Sequence, residues 1–337
     1  MRRKIISPEL IELETNVSYI PCFGFGEQLI DYNGPRCPLK LRYIVKRINE
    51  EDVVNTMRYN TKRFESYYET TDKKVYYEQP LGLGITLRML LDYDKSEIIV
   101  NNNYHKLVRF NVHCISPPGA NLKDLLCLKL LGRGFAPIHS SSFSYENEGV
   151  VIIAPSNTGK TWCVLYAVNN MGCKFLSEDI SITNGKEIFG CPWTSTFIDL
   201  IDLRGFNRVL QIIFKNFPIS RPFLRQYINV KSNNIMGNIT LKAKLKYIFL
   251  LVRGEPQIKR LDIDEALKKA IILNRYEFPY RSSLINALQF FDLIDVAEFL
   301  NKEKKIIEKM IENAEGVYLL SGAPNIFVRN IKSILGL

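Results

Sequence analysis

Residue types that build metal clusters and disulfide frameworks are scarce or scattered in this sequence. Its 337 residues include three histidines, too few for a metal cluster made of imidazoles. The seven cysteines are odd in number, and no two of them form a Cys-x-x-Cys pair. We therefore expect reduced thiols in a cytoplasmic protein, and neither a disulfide framework nor a structural zinc site.

Long apolar runs are also missing. The most apolar run, at residues 247–252, is far too short to span a bilayer. Pro8 and Glu9 follow the basic first residues where a signal peptide would have an apolar region, so none is expected. The sequence shows no internal repeat and no nucleic-acid-binding module. We expect neither a membrane nor a nucleic-acid partner. The net charge of +10 can reflect a solvated basic surface, or it can attract a nucleotide and an acidic partner.

The chain is long enough for two domains. Residues 1–115 are rich in Tyr, Val, Ile and Thr, in short alternating runs separated by Gly and Pro, which predicts an antiparallel β-rich region. The sequence Ser-Pro-Pro-Gly at residues 116–119 is the clearest linker, and Asn121 could cap the helix that follows. We predict a β-rich N-terminal domain at residues 1–118 and an α/β domain at residues 119–337.

The most informative stretch is VVIIAPSNTGKT, at residues 150–161. Its β-branched residues predict a buried strand, and a helix-compatible run follows the loop. The pattern G-x-x-x-x-G-K-[ST] is met at every fixed position except the first, where Ala154 replaces glycine. Loop amides and the helix N-terminus can cradle phosphate oxygens, Lys160 adds a positive charge, and the hydroxyl of Thr161 can bind Mg²⁺. The predicted nucleotide-binding residues are Ser156, Asn157, Thr158, Gly159, Lys160 and Thr161.

Acidic residues follow the next predicted strand. Glu178 and Asp179 can face the γ-phosphate of a nucleotide, one holding Mg²⁺ while the other accepts a hydroxyl proton. A plain surface turn is the alternative. Asp202, in LIDLRGF, could add a second Mg²⁺ carboxylate or belong to an exposed salt-bridging turn. His139, in FAPIHSSSF, precedes the phosphate-loop strand, although a lone histidine is more often structural than catalytic.

Three segments together resemble the HPr kinase/phosphorylase superfamily, including its branch of HPr-kinase-like serine and peptide kinases. They are RGFAPIHSS (residues 133–141), APSNTGKT (residues 154–161) and LSED (residues 176–179). The resemblance covers about residues 130–205 and extends more distantly to ATP-dependent phosphoenolpyruvate carboxykinase. It implies an α/β fold with a P-loop nucleotide-binding core of the HPr kinase/PEP carboxykinase type. The β-rich N-terminal region resembles the accessory domain often fused to this branch.

The resemblance also implies roles for individual residues. Glu178 would be the general base, Asp179 would support the metal, and His139 would act on the phosphate side. Thr161 matches the hydroxyl residue of the family's loop, and Asp202 stands where the family has a Mg²⁺-binding glutamate. Glu178 itself stands where the family has an aspartate.

The function implied is an ATP- and Mg²⁺-dependent kinase that transfers the γ-phosphate to a hydroxyl, with serine as the expected acceptor. The acceptor could be a small molecule, a precursor peptide or an HPr-like carrier protein. The changes at Glu178 and Asp202 keep open a second class, a non-catalytic nucleotide-binding module with a regulatory role. A homo-oligomer is possible, and the sequence leaves the acceptor and the choice of base between Glu178 and Asp179 open.

Overall fold

The structure is a computed structural model, and it describes residues 1–27, 29–48, 62–70, 72–109, 115–192, 206–217 and 238–337. These residues form a mixed α/β structure with two large sheets. The strands are β1 (Arg2–Ser7), β2 (Ile11–Thr15), β3 (Ile30–Asp31), β4 (Leu39–Val45), β5 (Arg63–Phe64), β6 (Tyr67–Glu69), β7 (Val75–Gly82), β8 (Ile85–Asp92), β9 (Glu97–Val100), β10 (Ala136–Tyr145), β11 (Glu148–Ile153), β12 (Lys174–Ser177), β13 (Ile180–Thr183), β14 (Glu187–Phe189), β15 (Lys242–Val252), β16 (Gln257–Arg260) and β17 (Gly316–Ser321).

Helices cover about as many of the described residues as the strands do. They are α1 (Asn102–Leu107), α2 (Pro118–Gly132), α3 (Lys160–Asn170), α4 (Phe206–Asn216), α5 (Ile263–Glu277), α6 (Ser283–Phe290), α7 (Val296–Asn313) and α8 (Pro324–Leu335). No helix in the described ranges is both long enough and apolar enough to cross a membrane.

The described residues divide into two compact units. The first comprises Met1–Lys129 and Tyr280–Phe299, and the second comprises the described parts of Leu130–Pro218, Tyr227–Pro279 and Leu300–Leu337. The domains predicted at residues 1–118 and 119–337 stay a prediction.

The first unit contains a nine-stranded sheet in the order β3-β1-β2-β4-β9-β8-β7-β6-β5. The prediction of an antiparallel sheet was wrong in part, because β4 pairs in parallel with both β2 and β9. Alternating burial along β4, where Leu39, Leu41, Tyr43 and Val45 are buried, identifies a strand but carries no information on the direction of its neighbours. The mixture of parallel and antiparallel pairs instead depends on the long connections between these strands, because parallel neighbours cannot be joined by a short hairpin.

Asn121 does not cap α2, because the helix begins three residues earlier at Pro118. Proline is well suited to a first helical turn, where its missing N–H has no helical partner to lose. Asn121 is fully buried, and its Nδ2 donates a hydrogen bond to the hydroxyl of Tyr104 at 2.8 Å.

The second unit contains an eight-stranded sheet with the order β11-β10-β13-β14-β15-β17-β16. β12 also pairs with β10, and β11 pairs with β15. β15 lies between β11 and β17 and runs parallel to both. β11 and the second half of β15 are continuous buried runs, as is typical of parallel strands covered on both faces. The carboxyl ends of these three strands meet at one edge of the sheet, where α/β proteins commonly bind ligands.

Candidate functional site

The site is built around the loop at residues 154–159, which joins β11 to α3. Asn157 and Gly159 both have left-handed backbone conformations, with φ of 62° and 125°. Gly159 caps the N-terminus of α3, and a Cβ added to it would lie 3.1 Å from Cγ of Pro324 in α8. Both its φ and this contact therefore favour glycine, and the tight turn directs the first amides of α3 toward the carboxyl edge of the sheet.

Lys160, the first residue of α3, is buried at 6% exposure and curls back over the loop. Its Nζ donates to the carbonyl oxygens of Ala154 at 2.8 Å and Pro155 at 3.4 Å. It also lies 2.9 Å from Nε2 of His139. A protonated lysine can only donate, so Nε2 is the acceptor and the ring hydrogen of a neutral His139 is on Nδ1.

Burial lowers the pKa of Lys160 below its ordinary value. The negative charges of Asp179, Glu277 and Glu178, in that order of size, oppose this effect. The lysine is therefore a desolvated cation among three carboxylates, and an anion bound at the loop would strengthen its charged form.

Glu178 and Asp179 form the turn between β12 and β13. Glu178 is 4% exposed, and its Oε1 accepts a hydrogen bond of 2.7 Å from the hydroxyl of Thr161, the second residue of α3. The hydroxyl of Ser141 in β10 donates to the carbonyl oxygen of Glu178, and the amide of Ser140 donates to that of Asp179 at 3.1 Å. Strand β10 thus holds the acidic turn beside the N-terminus of α3.

A buried network of serine hydroxyls supports this turn. Ser140, Ser142, Ser177 and Ser181 are all fully buried. Their hydroxyls are joined by hydrogen bonds of 2.6 to 3.0 Å across β10, β12 and β13. Because buried polar networks are specific when their members are satisfied, this one fixes the strands on both sides of Glu178 and Asp179.

His139 lies between two carboxylates. Its Nδ1 is 3.6 Å from Oδ1 of Asp179, and its Nε2 is 3.6 Å from Oε1 of Glu277, the last residue of α5. The same Oε1 accepts a hydrogen bond of 2.9 Å from the hydroxyl of Ser156 in the loop. Glu277 therefore links the loop to His139, a role that no local motif in the sequence indicated.

Asn274 anchors α5 to the site. It is fully buried, accepts a hydrogen bond of 2.9 Å from the amide of His139, and donates to the carbonyl oxygen of Pro137 at 3.1 Å. It also donates to Oε1 of Glu303 in α7 at 2.7 Å, while Nε of Arg275 donates to Oε2 of Glu303 at 2.8 Å. Burial raises the pKa of Glu303, and the hydrogen bonds from Arg275 and Asn274 oppose that shift.

The residues around the loop line a cavity of about 560 Å³. Two of the lining residues, Trp162 and Glu277, were not predicted from the sequence. Eight of the predicted site residues line the cavity: His139, Ser156, Asn157, Gly159, Lys160, Thr161, Glu178 and Asp179.

The remaining predicted site residues are Thr158 and Asp202. Thr158 is buried within the loop, and its amide donates to the carbonyl oxygen of Pro155 at 3.4 Å. Asp202, predicted as a metal ligand, lies outside the described residues, so the structure does not place it. Arg253, which was not predicted, donates to the carbonyl oxygen of Asn157 at 3.3 Å from the end of β15.

The oxygen atoms of the site suit a hard cation. Mg²⁺ usually keeps several waters and takes only one or two protein ligands beside substrate phosphates. In the described parts of the chain, no group of three or more His, Cys, Asp or Glu residues could hold a metal ion by itself. The hydroxyl of Thr161, 2.7 Å from Glu178 at the helix N-terminus, and one carboxylate of the acidic turn fit the sparser kind of site.

No protein-family model matches this chain, and no curated protein sequence matches it. One similar solved structure is that of the HPr(Ser) kinase/phosphatase from Coxiella burnetii. The two chains are 12% identical, the match covers 59% of this chain and 93% of that one, and the TM-score is 0.27. At that TM-score the likeness supports no conclusion about function.

Proposed function

We propose that this protein is an ATP- and Mg²⁺-dependent kinase that transfers the γ-phosphate of ATP to an alcohol hydroxyl. One observation carries the proposal: a glycine-containing strand–loop–helix turn, a lysine, a hydroxyl and two carboxylates converge on one cavity. Loop amides and Lys160 would bind the phosphates, since both are aimed at the carboxyl edge of the sheet. Thr161 is the hydroxyl, and its contact with Glu178 joins the loop to the acidic turn.

In the proposed transfer, the acceptor oxygen forms a bond to the γ-phosphorus while the bond from that phosphorus to the bridging oxygen breaks, releasing ADP. The acceptor's proton passes to a carboxylate at the turn. Glu178 and Asp179 both line the cavity, so either can take that proton. Glu178 is the more buried of the two and, through its contact with Thr161, lies beside the helix N-terminus, so it is the expected base.

Thr161, Asp179 and Asp202 would hold Mg²⁺, and Glu178 would be left to take the proton. The ion would neutralise charge on the phosphate oxygens. His139 acts through its neighbours: it accepts from Lys160 and lies near Asp179, so it orients both groups. We assign it a positioning role on the phosphate side.

The expected acceptor is serine, either free or in a precursor peptide, with an HPr-like carrier protein as the next candidate. The cavity of about 560 Å³ is of the size of a small-molecule site, which suits a nucleotide tail with a small acceptor group. Serine in a peptide or a free serine presents the same primary hydroxyl to the carboxylates.

The experiment is mass spectrometry of acceptors after incubation with the protein, ATP and Mg²⁺. The acceptor panel is free serine, a synthetic serine-containing peptide and an HPr protein. We expect one acceptor to gain the mass of a phosphate, and the gain to disappear in Glu178→Gln and Lys160→Ala. Glu312→Gln and Lys268→Ala remove matched exposed charges from α7 and α5 and should keep full activity.

No gain with any acceptor, in a protein that binds MgATP, would contradict the kinase proposal. It would favour the alternative of a nucleotide-binding module without turnover. If the acceptor still gains a phosphate with Glu178→Gln, the protein is a kinase and Asp179 is the proton acceptor.

A further inference from the structure

Trp162 is unlike the rest of the cavity wall. The other lining residues are charged, carry a hydroxyl or an amide, or are glycine, except for the imidazole of His139, which is buried. Trp162 supplies the large apolar surface, and its side chain is 48% exposed although neighbouring residues of α3, such as Cys163 and Val164, are buried. In the described part of the chain, the indole makes no hydrogen bond and no ring contact. A large aromatic ring left open in a polar cavity is what a flat ligand group would cover.

The position of Trp162 in the chain limits which part of a ligand it can meet. It directly follows Lys160 and Thr161, whose side chains and amides face the proposed phosphate position. A group that contacts the indole must therefore be attached close to those phosphates. In a nucleoside triphosphate the ribose and base are such a group, whereas an inorganic polyphosphate has nothing to cover the ring.

We infer that Trp162 is the nucleobase platform of this site, so that the phosphate donor is a nucleoside triphosphate and not an inorganic polyphosphate. This inference rests on the proposed function. Stacking on aromatic side chains tolerates different bases, because each base has a π face. Trp162 would thus select for a base on the donor, while Lys160 and the loop select for phosphate.

The test compares two ligands that share phosphates but differ in the base. The affinities of MgATP and of magnesium tripolyphosphate are measured by calorimetry for the full chain, for Trp162→Leu and for Trp162→Phe. Stacking of a base on an aromatic ring corresponds to roughly a 5- to 150-fold change in affinity. We expect Trp162→Leu to weaken MgATP binding by at least about 5-fold within that range, with no change for tripolyphosphate. Trp162→Phe should keep most of the MgATP affinity.

Tyr276→Leu is the matched control, because Tyr276 is a 76% exposed aromatic residue of α5 that does not line the cavity. It should change neither affinity. A second readout is the fluorescence of Trp162 in a Trp193→Phe background, where it is the sole remaining tryptophan of the two in the chain. MgATP should quench this fluorescence more than tripolyphosphate does.

Each contrary outcome has a separate meaning. If Trp162→Leu binds MgATP as tightly as the unmodified protein, the inference is wrong and the proposed function stands. If the variant loses both ligands equally, Trp162 supports the phosphate loop and the nucleobase platform is refuted. If the unmodified protein binds neither ligand, the proposed function fails and this inference fails with it.

Discussion

Replacing Asn274 tests the physical link between α5 and the cavity. Its side chain is fully buried and makes three hydrogen bonds, to the amide of His139, the carbonyl oxygen of Pro137 and the carboxylate of Glu303. Asn274→Ala leaves all three partners buried without it. Each such group costs about 1–3 kcal/mol, and because the costs are not additive we expect a total loss of about 3–5 kcal/mol in the free energy of unfolding.

Urea unfolding followed by tryptophan fluorescence measures this loss, since Trp162 lies in the same compact unit as Asn274. Asn313→Ala is the control, because Asn313 is exposed and, among the described residues, its Nδ2 bonds the carbonyl oxygen of Lys309 alone, at 2.6 Å. That change should cost less than about 0.5 kcal/mol. A loss below about 1 kcal/mol for Asn274→Ala would refute the view that these buried hydrogen bonds hold α5 against β10.

Asn274→Asp separates hydrogen bonding from charge at the same position. The aspartate can still accept from the amide of His139, but it places a second carboxylate against Glu303. Two carboxylates in contact can share one proton, so the deficit in stability should shrink as the pH falls. A deficit that does not change with pH would mean that the aspartate side chain turns away from Glu303.

Two other substitutions probe the loop and the buried carboxylate. Gly159→Ala should lower the free energy of unfolding by about 1–2 kcal/mol for its left-handed backbone, and further because the new Cβ contacts Pro324. It should also weaken MgATP binding. Gly134 is also left-handed but has open space around it, so Gly134→Ala should show the backbone effect alone. Urea unfolding measures the loss of stability, and calorimetry measures MgATP binding. An equal loss of stability in the two variants would show that the structure relieves the contact with Pro324. Burial raises the pKa of Glu303 despite the hydrogen bond from Arg275, so the folded state holds its proton more tightly than the unfolded state. The stability of the unmodified protein relative to Glu303→Gln should therefore be highest at acidic pH and should fall as the pH rises through the raised pKa, and a flat difference in urea midpoints would contradict that shift.

Local sequence patterns predicted the elements around the loop. The strand, loop and helix over residues 150–170 are present as β11 and α3, because β-branched residues followed by glycine and a helix-compatible run encode that turn locally. His139 lies near the acidic turn because its strand, β10, pairs with β11, β12 and β13. Such pairing is long-range, and only the family resemblance indicated it.

The sequence did not indicate the contribution of α5, because its residues lie more than a hundred positions after the loop. One signal was present: Ala266, Ala270 and Asn274 recur at four-residue spacing and are all buried in α5. A polar residue at the end of an apolar helical stripe must find hydrogen-bonding partners in the core. That pattern could have identified Asn274 as an anchor, and Glu277, three residues on, as a residue of the same helix face.

The helices after residue 280 show the limit of periodicity. The spacing of apolar residues predicts one helix over residues 284–300 and another over residues 302–313. In the structure, α6 ends at Phe290 and α7 runs unbroken from Val296 to Asn313. The break contains Asp292 in a left-handed conformation, and Asp295 Oδ1 accepts from the amide of Ala297 to begin α7. Apolar residues on both sides of the break continue the helical spacing, so the capping aspartate was the informative residue.

The central claim is that residues 154–161 hold a nucleotide by its phosphates, and calorimetric titration with MgATP tests it most directly. We expect the unmodified protein to bind MgATP, and Lys160→Ala to bind it roughly 10- to 150-fold more weakly, the range for losing a hydrogen bond to a charged group. Glu178→Gln should keep the affinity within a few-fold. An unmodified protein that binds no MgATP, or a Lys160→Ala variant that binds it equally well, would contradict the account.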